Sequence, residues 1–263
     1  MQKQERINQP DRTIKTLPGQ LFSSYGGALK DNMMIKGVIF DYGNTLVESP
    51  SLSDALVSVF RHDKALEIGN EIEKPFLDLY TPEQKEQPDW LKVWGEAFSK
   101  YGVLFNEEIG IQHLRAFADR YKIYDYTKPL LSELKGKSIK LALLGNMTGP
   151  AQIFHDDLIY KGLNDYFDCI AWSCEIGYRK PSKEAFQYIL DKMALKSEEV
   201  VMVGDSEIAD IGGAAKIGIK TLRIYDGNKP TNSKADFLSS RGQVINTIEA
   251  ITFISKRPKK PDA

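Results

Sequence analysis

Ile35-Lys36-Gly37-Val38-Ile39-Phe40-Asp41-Tyr42-Gly43-Asn44-Thr45 is the stretch that decides the fold. Its first half is apolar and β-branched, the pattern of a strand buried on both faces of a parallel sheet. Its second half turns polar at once. An acid stands directly after the strand, followed by a glycine that permits close backbone approach and by two side chains able to hydrogen-bond the turn. Ligands of open α/β sheets bind outside the carboxyl ends of the strands. Asp41 therefore sits where a side chain is held rigidly and faces solvent. Asp-x-Gly-Asn also makes a good generic turn, so this segment alone does not establish chemistry.

Two further segments repeat the arrangement. Gly145-Asn146 follows the apolar run 140–144, and Gly204-Asp205-Ser206, with Asp210 beyond it, follows the run 200–203. Lys180-Pro181 lies between them. Strands are expected over 139–144, 166–172, 200–203 and 220–224, with a short edge strand near 236–238. Helices are expected over 150–160, over 182–193 behind a Ser182 cap with Glu184 in its first turn, over 208–217 and over 246–254. That alternation implies a parallel sheet covered on both faces. Between Pro50 and Thr127 the spacing is helical instead. Leu52, Leu56, Val59 and Phe60 form one stripe behind a Ser51 or Ser53 cap. Trp90, Trp94, Ala97, Phe98 and Tyr101 form a second, and Ile111, Leu114, Phe117 and Tyr121 a third; no strand is expected there. The fold class is therefore α/β, a doubly wound, Rossmann-like parallel sheet with an inserted helical subdomain. Residues 34–49 and 128–255 form the core and 50–127 the insert, between a disordered extension over 1–33 and a basic tail over 256–263.

Bulk properties narrow the function. With 35 basic and 36 acidic side chains the net charge is −1, which is no nucleic-acid footprint. No apolar run approaches the length of about 20 residues that a membrane span needs. The N-terminus lacks the basic-then-apolar layout of a secretory signal, although Lys3, Arg6, Arg12 and Lys15 leave a weak organellar-transit reading. Cys169 and Cys174 are the only cysteines, too few for a disulfide framework, and read as reduced core residues of a cytoplasmic protein. His62, His113 and His155 share no metal-ligand spacing and read as packing or surface residues. Polar residues at several strand ends converge in space. Three carboxylates, one lysine and one asparagine suit a divalent metal and a phosphate.

Taken together, the four segments resemble the motifs of the haloacid dehalogenase superfamily of phosphohydrolases, which occur in this order. The resemblance spans about 35–224 and is strong in Asp41-Tyr42-Gly43-Asn44-Thr45, in Glu175-x-Gly-x-Arg-Lys-Pro181 and in Gly204-Asp205-Ser206 with Asp210. The insert resembles that superfamily's helical cap of the first type. The resemblance implies a phosphatase in which Asp41 attacks phosphorus and forms an aspartyl-phosphate, splitting one hard step into two. It implies Mg²⁺ held by Asp41, the carbonyl of Gly43, Asp205 and Asp210, all hard oxygen donors. Lys180 would neutralise charge, while Asn44, Thr45, Gly145, Asn146 and Thr148 would bind phosphate. Its partner would be a small phosphorylated metabolite, with no nucleic acid and no membrane, and the protein a monomer or homodimer.

Two positions depart from the pattern. Gly43 stands where the superfamily's phosphatases usually carry a second aspartate as general acid and base, and Gly145 where a Ser or Thr usually precedes the asparagine. Thr148 is a candidate for the missing hydroxyl. Losing a positioned acid costs about 10²–10⁴ in rate, so the expected phosphatase favours leaving groups that need little protonation, such as anomeric, acyl and aryl phosphates. Two alternatives stand beside it: a degenerate phosphate- or partner-binding protein, and a dehalogenase in which Asp41 displaces halide from carbon. Residues 48–53 and 80–94 are candidates for touching substrate. One of the adjacent cations Arg179 and Lys180 is open to being solvated surface.

Overall fold

The computed structural model describes residues 35–79 and 87–253. The expected extension over 1–33 and the basic tail over 256–263 lie outside the described residues. Six parallel strands form one sheet in the order β5-β4-β1-β6-β7-β8: Cys169–Trp172, Lys140–Gly145, Gly37–Phe40, Val200–Gly204, Lys220–Tyr225 and Phe237–Ser240. β1 is central, with Phe40 level with Leu143 on one side and Val203 on the other. The chain runs outward from β1 in both directions, so the crevice at its carboxyl end is the topological switch point. Side chains alternate across the sheet. Val38 and Phe40 enter one core with the helices Thr127–Gly136, Ala151–Tyr160 and Val244–Phe253. Ile39 enters the other, with Phe186 and Ile189 of the helix Lys183–Met193.

Among the described residues of the insert there are four helices: Leu52–Val59, Ala65–Asp78, Trp90–Ser99 and Glu107–Asp119. Ser51 caps the first by accepting from the Asp54 amide, one of the two serines expected for that role. Contrary to expectation, a strand does occur before Thr127. Lys122–Ile123 (β3) pairs antiparallel with Val47–Glu48 (β2), joining the outgoing and returning chains in a two-residue ribbon. Such a ribbon is too short to show periodicity in sequence. The strand expected over 166–172 begins at Cys169, because Asn164–Tyr166 is a 3₁₀ turn. The helix expected over 208–217 is a π-helical stretch, Glu207–Gly212, followed by Gly213–Ala215. Among the described residues no helix is long and apolar enough to cross a membrane. Cys169 and Cys174 are half-buried free thiols.

His113 holds the insert together from inside. Trp94 donates its Nε1–H to His113 Nδ1 at 3.0 Å, so Nε2 carries the ring proton and donates to the Leu52 carbonyl at 2.7 Å. One neutral imidazole thus bridges three of the four helices. Burial depresses its pKa from 6.5 to about 4, outweighing the opposing hydrogen bond to Leu52. An unfolded chain takes up this proton near its ordinary pKa, whereas the folded one resists until much lower pH. The stability is therefore complete above about pH 6.5 and is lost as pH falls towards about 4. We predict a loss of about 2 kcal/mol between about pH 7.5 and about pH 5 from this residue, read by urea unfolding. His113→Gln, which keeps a donor and an acceptor, should lose that increment; an unchanged pH slope would refute the assignment.

Candidate active site

Each polar residue singled out at a strand end is placed by the strand before it. The Asp41 amide still bonds the Val203 carbonyl at 2.9 Å, extending the β1–β6 ladder by one residue. Tyr42 is buried beneath the turn, its hydroxyl donating to Asp157 at 3.2 Å, and Lys161 pairs with the same carboxylate. Asn44 takes the left-handed conformation (φ 54°) that asparagine tolerates better than most residues. Its side-chain oxygen accepts from the Ser49 amide at 3.1 Å. At the end of β6, Ser206 caps the π-helical stretch by accepting from the Ala209 amide at 3.1 Å. The Asp210 carboxylate folds back to accept from the Ser206 amide at 3.0 Å. A side chain at Gly204 would collide with that carboxylate, so only glycine suits the position.

Lys180 is the centre of the arrangement. Its ammonium lies 2.5 Å from Asp41 Oδ1 and 2.7 Å from Asp210 Oδ1, and only 1% of the side chain is exposed. Asp205 completes the group: one carboxylate oxygen each from Asp41, Asp205 and Asp210 falls within 4.8 Å of the others. Burial lowers the affinity of Lys180 for its proton, but the charges of Asp210 and Asp41 outweigh burial and hold its pKa above the ordinary value. Burial raises the pKa of Asp205, and the charges of Asp41 and Asp210 push it up further. Asp210 is likewise raised by burial, against the pull of Lys180. Three acids facing one ammonium leave surplus negative charge in a low-dielectric site. Oxygen donors alone, closely spaced, suit a hard divalent cation.

Asn146 is engaged with the chain that carries the lysine. Its amide donates to the Lys180 carbonyl and its oxygen accepts from the Lys180 amide, both at 2.9 Å. It therefore aligns the peptide that carries the lysine, while still lining the cavity. Thr148 lines it too, its hydroxyl within 3.1 Å of Gln87 Nε2 and 3.4 Å of an Arg179 nitrogen. Among the described residues, Thr45 and Gly145 are not part of the lining, and the buried Thr45 hydroxyl has no hydrogen-bond partner. Arg179 is not solvated surface: it is 2% exposed and lines the cavity beside Lys180. The cavity, about 610 Å³, runs from this acidic floor up into the helical insert. Ser49, Pro50, Leu52 and Trp94, within the two segments expected to touch substrate, are part of its wall; Tyr80 lies outside the described residues.

Several contributors carry no sequence signal. Gln87 bonds the Met147 carbonyl at 2.8 Å and accepts from Ser173, joining the insert to the end of β4. Arg223 donates to the Asp205 carbonyl and to Glu207, each at 3.0 Å. Arg241 donates to the Asn44 carbonyl at 2.9 Å and stacks 4.0 Å over Tyr124, while Tyr126 donates to the Thr45 carbonyl. Each is an ordinary residue type whose role depends on distant chain.

Gly145 has a packing explanation. A Cβ there would sit 2.5 Å from Cζ3 and 2.7 Å from Cε3 of the fully buried Trp172 ring. The indole fills the space that a Ser or Thr would need. Comparison with known proteins places the chain in a family. A model of haloacid dehalogenase-like hydrolases matches residues 35–218. A glyceraldehyde 3-phosphate phosphatase of Methanocaldococcus jannaschii is 31% identical over 86% of this chain and 100% of its own length. A ribulose-1,5-bisphosphate 5-phosphatase of Halopiger xanaduensis is 25% identical over 83% and 97%. Among solved structures, the magnesium-bound HAD-hydrolase YfnB of Bacillus subtilis superposes with a TM-score of 0.65 at 18% identity, covering 84% of this chain and all of that one. The L-2-haloacid dehalogenase of Xanthobacter autotrophicus reaches 0.63 at 19%, covering 82% and 99%. Both of these last likenesses concern the fold. Gly145→Thr should overpack the Trp172 site and lower unfolding free energy by about 1–3 kcal/mol; a urea midpoint equal to wild type would contradict the packing account.

Proposed function

The chain belongs to the haloacid dehalogenase-like hydrolases, and we propose that it is a Mg²⁺-dependent phosphatase acting on a small phosphorylated metabolite through Asp41. The observation that carries the reading is the Lys180 ammonium held between Asp41 and Asp210, with Asp205 in the same cluster. Lys180 fixes one oxygen of Asp41, and the other attacks phosphorus. The bond from phosphorus to the leaving oxygen breaks, giving an acyl phosphate on Asp41. Water then attacks that phosphorus, inorganic phosphate departs and the carboxylate is regenerated. Asp41, the Gly43 carbonyl, Asp205 and Asp210 would hold Mg²⁺, which would supply positive charge to the transferring phosphoryl group. The chain's own part is positioning and charge, which is most of what phosphoryl transfer demands.

Gly43 shapes the expected substrate range. With no acid at this position, the departing oxygen leaves with little help, so good leaving groups are favoured. The Ser49 hydroxyl occupies the space a side chain would enter, 2.5 Å from an added Cβ. The two relatives described above are named as a glyceraldehyde 3-phosphate phosphatase and a ribulose-1,5-bisphosphate 5-phosphatase. That supports phosphorus over a carbon–halogen bond as the target. Packing against Trp172 accounts for Gly145 without loss of function, which weakens the reading of a degenerate binding protein.

Hydrolysis of a panel of phosphate esters, with and without Mg²⁺, tests the reading. Asp41→Asn should lose about 10³-fold or more in kcat/KM; activity that survives it would remove Asp41 from the chemistry. Gly43→Asp, combined with Ser49→Ala to make room, should raise hydrolysis of alkyl phosphates by about 10-fold or more relative to aryl phosphates. An equal change in both series would dismiss the leaving-group argument.

A further inference from the structure

The cavity above Asp41 has two unlike halves. Its floor is the charged cluster, together with Asn146, Thr148 and Arg179. Its roof draws one or more apolar side chains from each helix of the insert: Leu52, Phe76, Trp94, Leu114 and Phe117. Leu114 and Phe117 stand three residues apart, on one face of their helix. Trp94 and Leu114 are buried outright, but Leu52, Phe76 and Phe117 keep part of their surface uncovered. Among the described residues, Glu73 is the one carboxylate on the insert's share of the lining, with no hydrogen bond or ion pair to another of them. It is only partly exposed and stands one helical turn before Phe76.

From this we infer that the substrate is a phosphate ester whose organic body is apolar and about the size of an aromatic ring, seated against Leu52, Phe76 and Phe117. The inference rests on the reading of the Asp41 pocket as a phosphate-ester site and adds the class of group attached to the phosphate. Ligand sites commonly combine an apolar wall with a few placed polar groups that orient the molecule. Here the orientation follows from the partition itself: the phosphoryl end belongs with Lys180 and the acids, the body with the aromatic roof. Along Leu52, Phe76 and Phe117 a short polyhydroxylated body would find few acceptors besides Glu73, which disfavours it.

Non-hydrolysable phosphonates separate binding from turnover. Titration calorimetry of the full chain, with Mg²⁺, compares 3-phenylpropylphosphonate with propylphosphonate, which share a head group and differ in the ring. The ring should tighten binding by about tenfold or more, and Phe117→Ala should erase most of that ratio. Equal dissociation constants, or no measurable binding of either compound, would overturn the inference whatever the enzyme's turnover. Ring-dependent binding by a protein that hydrolyses no phosphate ester would uphold the subsite and sink the phosphatase reading alone.

Discussion

One buried ammonium organises the functional end of this protein. Lys180 is almost sealed from solvent and touches carboxylates that arrive from two different strand ends. Taking such charges out of water is costly, and removing the cation would leave close acids repelling one another. Much of the surrounding structure serves to hold this group. Asn146 clamps both sides of the Lys180 peptide, the Ser206 amide anchors Asp210, and Arg223 secures the Asp205 carbonyl. Even so, the ammonium does not balance the acids, and that surplus of negative charge is what makes a divalent cation a fitting occupant.

The same cluster explains why irregular backbone gathers here. Asn44 lies in the left-handed region, and a π-helical stretch replaces the start of an ordinary helix after Asp205. Single π turns are frequent at functional sites. In this one the amides of Asp210 and Ile211 both reach the Ser206 carbonyl, and the Asp210 side chain turns back towards Lys180. A regular sheet and its covering helices provide the rigid frame on which those local departures are imposed.

The helical insert is coupled to the site by few but specific links. The β2–β3 ribbon pairs the two crossing chains, Thr127 Oγ1 donates to the Leu46 carbonyl at 2.6 Å, and Lys161 donates to the Ala118 carbonyl at 3.2 Å. Arg241, from the segment after β8, reaches across to the Asn44 carbonyl and braces the turn next to Gly43. The turn that presents Asp41 is thus gripped from the insert and from the far edge of the core. Apolar side chains of the insert then form the roof of the cavity whose floor is charged.

The sequence alone determined the parallel α/β architecture, the helical insert and the strand ends that carry Asp41, Asn146 and Asp205. Those features are written locally, as apolar runs broken by a polar residue and as stripes at helical spacing. Only the tertiary structure decided which groups meet. Lys180 finds Asp41 across 139 positions and Asp210 across 30, and Arg241 finds Asn44 across 197. Gly145 reads as a lost hydroxyl, yet Trp172 fills the space; one of Arg179 and Lys180 reads as surface, yet both are buried. Charge and packing act through distance in space. A linear pattern can place a residue at the end of a strand, but what surrounds it is set by how the strands and helices come together.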